Sequence, residues 1–265
     1  MLSEYKISAL VRIVIMHVLV YLYVFIVGTI IGSFLNVVIC RVPEGQSIVY
    51  PGSHCPRCQN KLVWKQLIPL VSFIVQRAKC AYCGTKIPAT YPLVELFTGI
   101  VFALIYHVTG FTWLTLVYWI LAACFIAVIV IDWKHTIIPD GINLTIFAVG
   151  IVASLTGITL PISEALIGGL TGGGILLLLA VASRGGMGGG DIKFLAAVGL
   201  FAGWKLVLLT LFLASITATI YGLVRILRLG YARGRQIPLG PFLAASAMAA
   251  LLYGNQLIDY YLSLF

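Results

Sequence analysis

The sequence predicts an all-α polytopic membrane protein of about eight transmembrane helices, and three observations carry that expectation. Hydrophobic residues make up 61% of the chain, charged residues only 9%, and the mean hydropathy is +1.08, values far outside soluble-domain composition. Apolar runs of the length a bilayer demands, roughly 20 residues, recur near 11–31, 92–108, 113–131, 142–158, 165–183, 206–224 and 239–254. The one sizeable polar segment, residues 41–91, is strongly basic and carries paired cysteines.

The first run, VRIVIMHVLVYLYVFIVGTIIGSF, is too long for a secretory h-region and lacks a small-x-small cleavage site. Residues 1–40 are therefore expected to be a retained first helix. The loop at 41–91 sets Arg41, Arg57, Lys61, Lys65, Arg77, Lys79 and Lys86 against Glu44, which places it in the cytoplasm by the positive-inside rule. Residues 92–265 then form the remaining transmembrane core. Within them FLAAVGLFAGW, residues 194–204, is short for a span and reads as a short crossing, a tilted one or a re-entrant piece. A crossing puts fourteen of the seventeen basic residues on the cytoplasmic side, leaving out Lys6, Arg12 and Lys205. It makes an eighth span. The net charge of +9 calls for no nucleic acid, because basic loops beside anionic lipid account for it. No internal repeat is visible.

The basic loop holds Cys55-x-x-Cys58 and Cys80-x-x-Cys83, with twenty-one residues between the pairs. Two such knuckles offer four sulfurs to a tetrahedral zinc ion, and a loop of about fifty residues gains from a metal staple because it buries little core. A zinc-stapled cytoplasmic loop is the expectation. Its two net negative charges would be offset by Arg57, Lys61, Lys79 and Lys86. Redox cycling is the rival, disfavoured by a reducing cytoplasm and by the lack of a thioredoxin-like pattern. Cys40 and Cys124 read as buried small hydrophobes.

Of eight acidic residues, three fall at cytoplasmic span ends: Asp132, Asp140 and Asp191. An ionisable group at the membrane boundary is a functional candidate. Asp140, in Pro139-Asp140-Gly141 before INLTIFAVG, reads as an N-cap acid. Asp132 ends its helix, where an aspartate opposes the macrodipole; pairing with Lys134 or His135 is its structural alternative. Asp191 closes RGGMGGGDIK, where Gly188, Gly189 and Gly190 allow the backbone to open and another chain to lie against the acid. Close helix packing is the competing explanation for those glycines.

These residues resemble the prepilin peptidases, or type IV leader peptidases, whose GxGD motif is similar to Gly188-x-Gly190-Asp191 followed by Ile192-Lys193. The resemblance extends to Gly32-Ser33-Phe34-Leu35-Asn36 with Arg41, to Pro51-x-Ser53-x-Cys55-Pro56-x-Cys58, to Ile68-Pro69-Leu70-x-Ser72-Phe73, to Cys80–Gly84 and to Tyr91-Pro92-Leu93-Val94-Glu95. The first catalytic acid of the family resembles Asp132, and one departure is Gln66, where the family is often acidic. The resemblance implies a GxGD-type membrane aspartic protease of the bacterial inner membrane. Such an enzyme removes the basic leader of type IV prepilins or pseudopilins at the cytoplasmic face. In many members it also methylates the new amino terminus with S-adenosylmethionine.

The chemistry follows from the acids themselves. Two carboxylates brought close cannot both ionise cheaply, so they share a proton, and one can activate water while the other polarises the scissile carbonyl. Asp132 and Asp191 are the expected pair and lie fifty-nine residues apart, so only helix packing can join them. Lys193 and Lys134 each lie two residues past one of these acids, where a cation could meet a substrate carboxylate near the cut site. Two other classes compete: a transporter using an intramembrane acid relay and a membrane adaptor binding through its cysteine loop. The first would place acids nearer the midplane, and the second has no use for an acid on a glycine hinge.

Overall fold

The computed structural model describes residues 2–184, 186–229 and 237–264; Arg233 and Arg235, counted in the charge balance above, lie outside them. Among the described residues the chain is helical, with no strand. The α-helices are α1 (Leu2–Arg41), α2 (Val71–Val75), α3 (Thr90–Thr109), α4 (Trp113–His135), α5 (Asp140–Leu155), α6 (Ile162–Ala182), α7 (Gly189–Leu229) and α8 (Gly240–Leu262). Six of them are long and apolar enough to cross a membrane, and α5, at 16 residues, is apolar but short. Large apolar side chains stand open along these helices, among them Leu170, Leu178, Val181 and Leu227. In a multi-pass protein such surface faces lipid.

Two compact units divide the chain, residues 1–115 and 116–265. In the first, α1 packs along α3 at backbone range, with Gly32 against Glu95 and Thr98. The loop between them is tied to both helices. Arg41 donates to the carbonyls of Ser47 and Gly52 at 3.0 and 3.3 Å, Asn36 to that of Tyr91 at 3.1 Å, and the Leu70 amide to the buried Glu95 carboxylate at 2.8 Å. Asn36, Arg41 and Glu95 thus hold a loop that has little apolar core of its own.

In the second unit α7 is two helices joined at Gly203, whose φ of 63° and ψ of 173° are non-helical. A straight helix from residue 191 to 221 would run about 45 Å. Asp191 shares a cleft with Asp132, while Tyr221 stacks edge-on against Trp133 with ring centroids 5.2 Å apart. The chain therefore doubles back at Gly203. The arm before the turn contains the short segment 194–204 almost whole, so the expected eighth crossing is one limb of a helical hairpin. It packs on α5 through Gly150 against Leu200 and Phe201, and on α4 through Phe125 and Phe194. The second arm packs on α8, where Gly254 faces Leu206 and Leu209.

Helix α6 meets the first arm most closely, since a Cβ on Gly172 would lie 2.6 Å from the Leu195 carbonyl oxygen. This is small-residue packing of the membrane kind, where backbones approach because lipid supplies no hydrophobic drive between helices. Gly174, two positions on, faces open space. Gly172→Val should destabilise the detergent-solubilised protein by about 1–3 kcal/mol through overpacking, and Gly174→Ala should leave its melting temperature unchanged or slightly raised. Thermal unfolding followed by circular dichroism checks both.

Candidate functional site

Asp132 and Asp191 line one cleft of about 230 Å3, with Asp140 and the backbone of Gly188, Gly189 and Gly190. Helix polarity brings the acids together. Asp132 lies near the C-terminal end of α4 and Asp191 in the first turn of α7, so antiparallel packing sets them at the same end. Asp132 is buried, at 5% exposure. Asp191 is half-buried, its Oδ1 is sealed from solvent without a protein hydrogen-bond partner, and it feels the charge of Asp132.

An aspartate at the end of α4 opposes that helix's dipole, yet the structure supplies another. The Gly240 amide, at the first position of α8, donates to Asp132 Oδ2 at 3.0 Å. Asp132 thus sits on the positive end of α8, where orphan amides favour an anion. A side chain here would push the carboxylate off the amide, since a Cβ on Gly240 would lie 2.7 Å from Oδ2. The bonded partner of Asp132 is this amide and not Lys134 or His135. Gly240 follows Asp132 by 108 residues, and nothing in the sequence around Leu239-Gly240-Pro241 signalled the contact.

The glycine stretch takes a definite form. Gly189 and Gly190 open α7, Gly188 precedes it, and Gly190 lies against Ile138, whose Cβ would be 3.1 Å from a Cβ there. Gly188 is equally tight, with Asp191 Oδ2 at 3.2 Å from the place of a side chain. Asp140 corrects the sequence reading. Pro139 is the N-cap of α5, Asp140 is the first helical residue, and its side chain caps no amide. At that position the carboxylate turns outward and pairs with Lys193 at 2.8 Å. Asn143, a turn further along α5 and 5% exposed, donates its Nδ2 to the Gly190 carbonyl at 3.4 Å. As a lone amide in an apolar run it was visible in the sequence but was not singled out.

In the first unit the four sulfurs of Cys55, Cys58, Cys80 and Cys83 lie within 4.8 Å of one another. The cross-knuckle pairs Cys55–Cys83 and Cys58–Cys80 are 3.8 and 4.0 Å apart. A tetrahedron with metal–sulfur bonds of about 2.3 Å has edges of about 3.8 Å, so the donor set can hold a metal ion. The knuckles are a structural repeat that the sequence concealed. Cys55 bonds the Asn60 carbonyl at 3.0 Å as Cys80 bonds that of Thr85 at 2.8 Å; the amides of Gln59 and Gly84 each return to the first cysteine's carbonyl at 2.9 Å; and both residues have left-handed φ, 59° and 69°. Only the cysteines and the last lysine coincide between HCPRCQNK and KCAYCGTK, which hides the repeat. Arg57 Nη1 donates to Thr85 Oγ1 at 3.1 Å, and the Cys83 thiol donates to the same hydroxyl oxygen at 3.3 Å. That hydroxyl, with the Thr85 amide, brings the Cys83 thiol down to about 6.

A multi-pass membrane protein with an aspartate-lined cleft in one unit and a four-cysteine cluster in the other is a narrow class. The sequence profile of the bacterial peptidase A24 N-terminal domain matches residues 26–109, and that of the type IV leader peptidase family matches residues 119–223. The chain is 32% identical to a prepilin leader peptidase/N-methyltransferase of Aeromonas salmonicida, over 93% of this chain and 96% of the relative. It is 32% identical to one of Pseudomonas aeruginosa, over 89% and 91%. A third, from Neisseria gonorrhoeae, is 34% identical over 83% and 86%. No solved structure matches the chain. The chain belongs to the type IV leader peptidase family.

The Lys193–Asp140 pair is exposed, at 59% and 74% of the two side chains, and such pairs contribute little to folding. Lys193→Gln and Asp140→Asn should each change unfolding free energy by less than about 1 kcal/mol, read from melting temperatures in detergent at low and high salt.

Proposed function

We propose that this chain is a membrane-embedded aspartic endopeptidase that removes the basic leader of type IV prepilins or pseudopilins at the cytoplasmic face of the bacterial inner membrane. Family membership supports the substrate class and the basic loops support the orientation. The observation that carries the mechanism is the meeting of Asp132 and Asp191 in one cleft beside a glycine-opened backbone. The substrate enters as an extended strand along Gly188–Gly190, where no side chain holds it away. Lys193, held beside the cleft by Asp140, is the cation offered to a substrate carboxylate near the cut.

An amide donor calls for an unprotonated oxygen, and the Gly240 amide occupies Asp132 Oδ2. That contact favours the form of the pair in which Asp132 is ionised and Asp191 carries the shared proton. Asp132 takes a proton from water as its oxygen attacks the scissile carbonyl carbon, and Asp191 gives its proton to the carbonyl oxygen. Collapse of the gem-diol breaks the C–N bond, one of its hydroxyls returning a proton to Asp191 while the proton held on Asp132 passes to the leaving amine. In the cysteine loop the sulfur spacing and the reducing compartment favour zinc, bound by Cys55, Cys58, Cys80 and Cys83 and supplying structural order alone. S-adenosylmethionine would supply a methyl group to the new amino terminus. Its cationic sulfonium calls for a carboxylate; in the first unit the buried Glu95 is engaged by the Leu70 amide and Glu44 accepts from Gln46.

Asp132→Asn and Asp191→Asn should each abolish leader cleavage, losing at least ~3 kcal/mol of transition-state stabilisation, with the double variant no worse than either single one. Asp140→Asn should keep activity within a few-fold, because its amide oxygen still accepts from Lys193. A gel shift of co-expressed prepilin reads all four variants, and full processing by membrane-inserted Asp191→Asn protein overturns the mechanism.

Metal analysis of purified protein should find about one zinc per chain, lowered by Cys58→Ser or Cys80→Ser. Chelation should make the loop between α1 and α3 protease-sensitive. Metal-free protein with a protease-resistant loop would contradict the assignment.

A further inference from the structure

Asn143 sits in the first turns of α5, 5% exposed, where a polar side chain has few reasons to be. Its Nδ2 reaches the carbonyl of Gly190 at 3.4 Å, the residue directly before Asp191, while its Oδ1 is buried without a protein hydrogen-bond partner. A hydrogen bond of that length is at the weak end of the range. Leaving a buried acceptor unmatched costs more than one such bond returns, and more again at a depth where bulk water is scarce. As a contribution to folding the asparagine returns little, one weak hydrogen bond set against a buried acceptor with no protein partner.

A residue kept at a cost to stability in contact with a reacting segment is retained for what it does there. The contact is at Gly190, the glycine that opens α7 and that Ile138 supports from another side. Glycine holds its own backbone weakly, so the direction of the Asp191 side chain depends on what grips Gly190. We propose that Asn143 is a positioning residue for the acid pair: by holding the Gly190 carbonyl it fixes the backbone from which Asp191 projects toward Asp132. It touches neither substrate nor the reacting atoms. A long bond in the substrate-free protein that tightens when a chain lies along the glycines is the behaviour expected of such a contact. The inference rests on the proposed roles of Asp132 and Asp191.

The test is leader cleavage by purified Asn143→Leu protein, with kcat and KM measured separately and thermal unfolding alongside. The positioning role predicts a kcat at least about tenfold lower, since small misplacements of a reacting group are costly, with KM within about twofold and a melting temperature equal to the wild type or above it. Should Asn143→Leu lower the melting temperature by crowding, Asn143→Ala decides, because it cannot overpack: the same kcat loss supports the role. Wild-type kcat in Asn143→Ala or in well-folded Asn143→Leu overturns it, as does a loss seen only in KM. Asp191→Asn in the same assay separates the two claims. An active Asp191→Asn enzyme defeats the acid-pair mechanism itself, whereas an inactive one beside a fully active Asn143→Leu defeats only the role of Asn143.

Discussion

A carboxylate at the edge of a membrane must find positive charge without water, and here helix ends provide it. Asp191 lies in the first turn of its own helix, and Asp132 borrows the first turn of α8 through the Gly240 amide. Each acid therefore rests on the positive pole of a helix, and among the described residues neither forms an ion pair with a lysine or arginine. The arrangement needs α4 to run against both α7 and α8. The hairpin at Gly203 and the aromatic contacts among Trp133, Tyr221 and Phe242 secure that polarity. The cleft is in this sense a consequence of three helices ending at one level.

Much of this was legible in the sequence. Lipid forces each span to be long and apolar, so the eight apolar segments could be read from composition, and charge asymmetry argued for the crossing of residues 194–204. Asp132 and Asp191 stood out because acids at span ends are costly. What stayed hidden depends on contacts between distant parts of the chain. Gly240 is an ordinary glycine until its amide is seen on Asp132, and Asp140 looks like a cap until it is seen one position inside α5 and paired with Lys193. Local pattern cannot report either, because both are properties of how helices meet.

The cysteine loop failed differently. Its repeat consists of backbone hydrogen bonds and two left-handed residues, Gln59 and Gly84, and a glutamine gives no sign of a left-handed turn. The cysteine spacing revealed the donor set, while the symmetry that orients it is carried by the main chain. Arg57 and Thr85 show how the surrounding charge is used: the guanidinium and the Cys83 thiol both donate to the one Thr85 hydroxyl oxygen.

The first limb of the Gly203 hairpin, residues 189–202, is only about 21 Å long at the rise of an α-helix, and α5, at 16 residues, is about 24 Å. The hydrocarbon core of a bilayer is about 30 Å thick. Both short helices border the acid cleft, so the mismatch is local: the membrane must thin there, or the cleft must lie beneath the level of the headgroups. Either way, polar headgroup and water come closer to Asp132 and Asp191 than full-length spans would bring them. The thickness of the surrounding lipid thereby becomes a determinant of how wet the acids are.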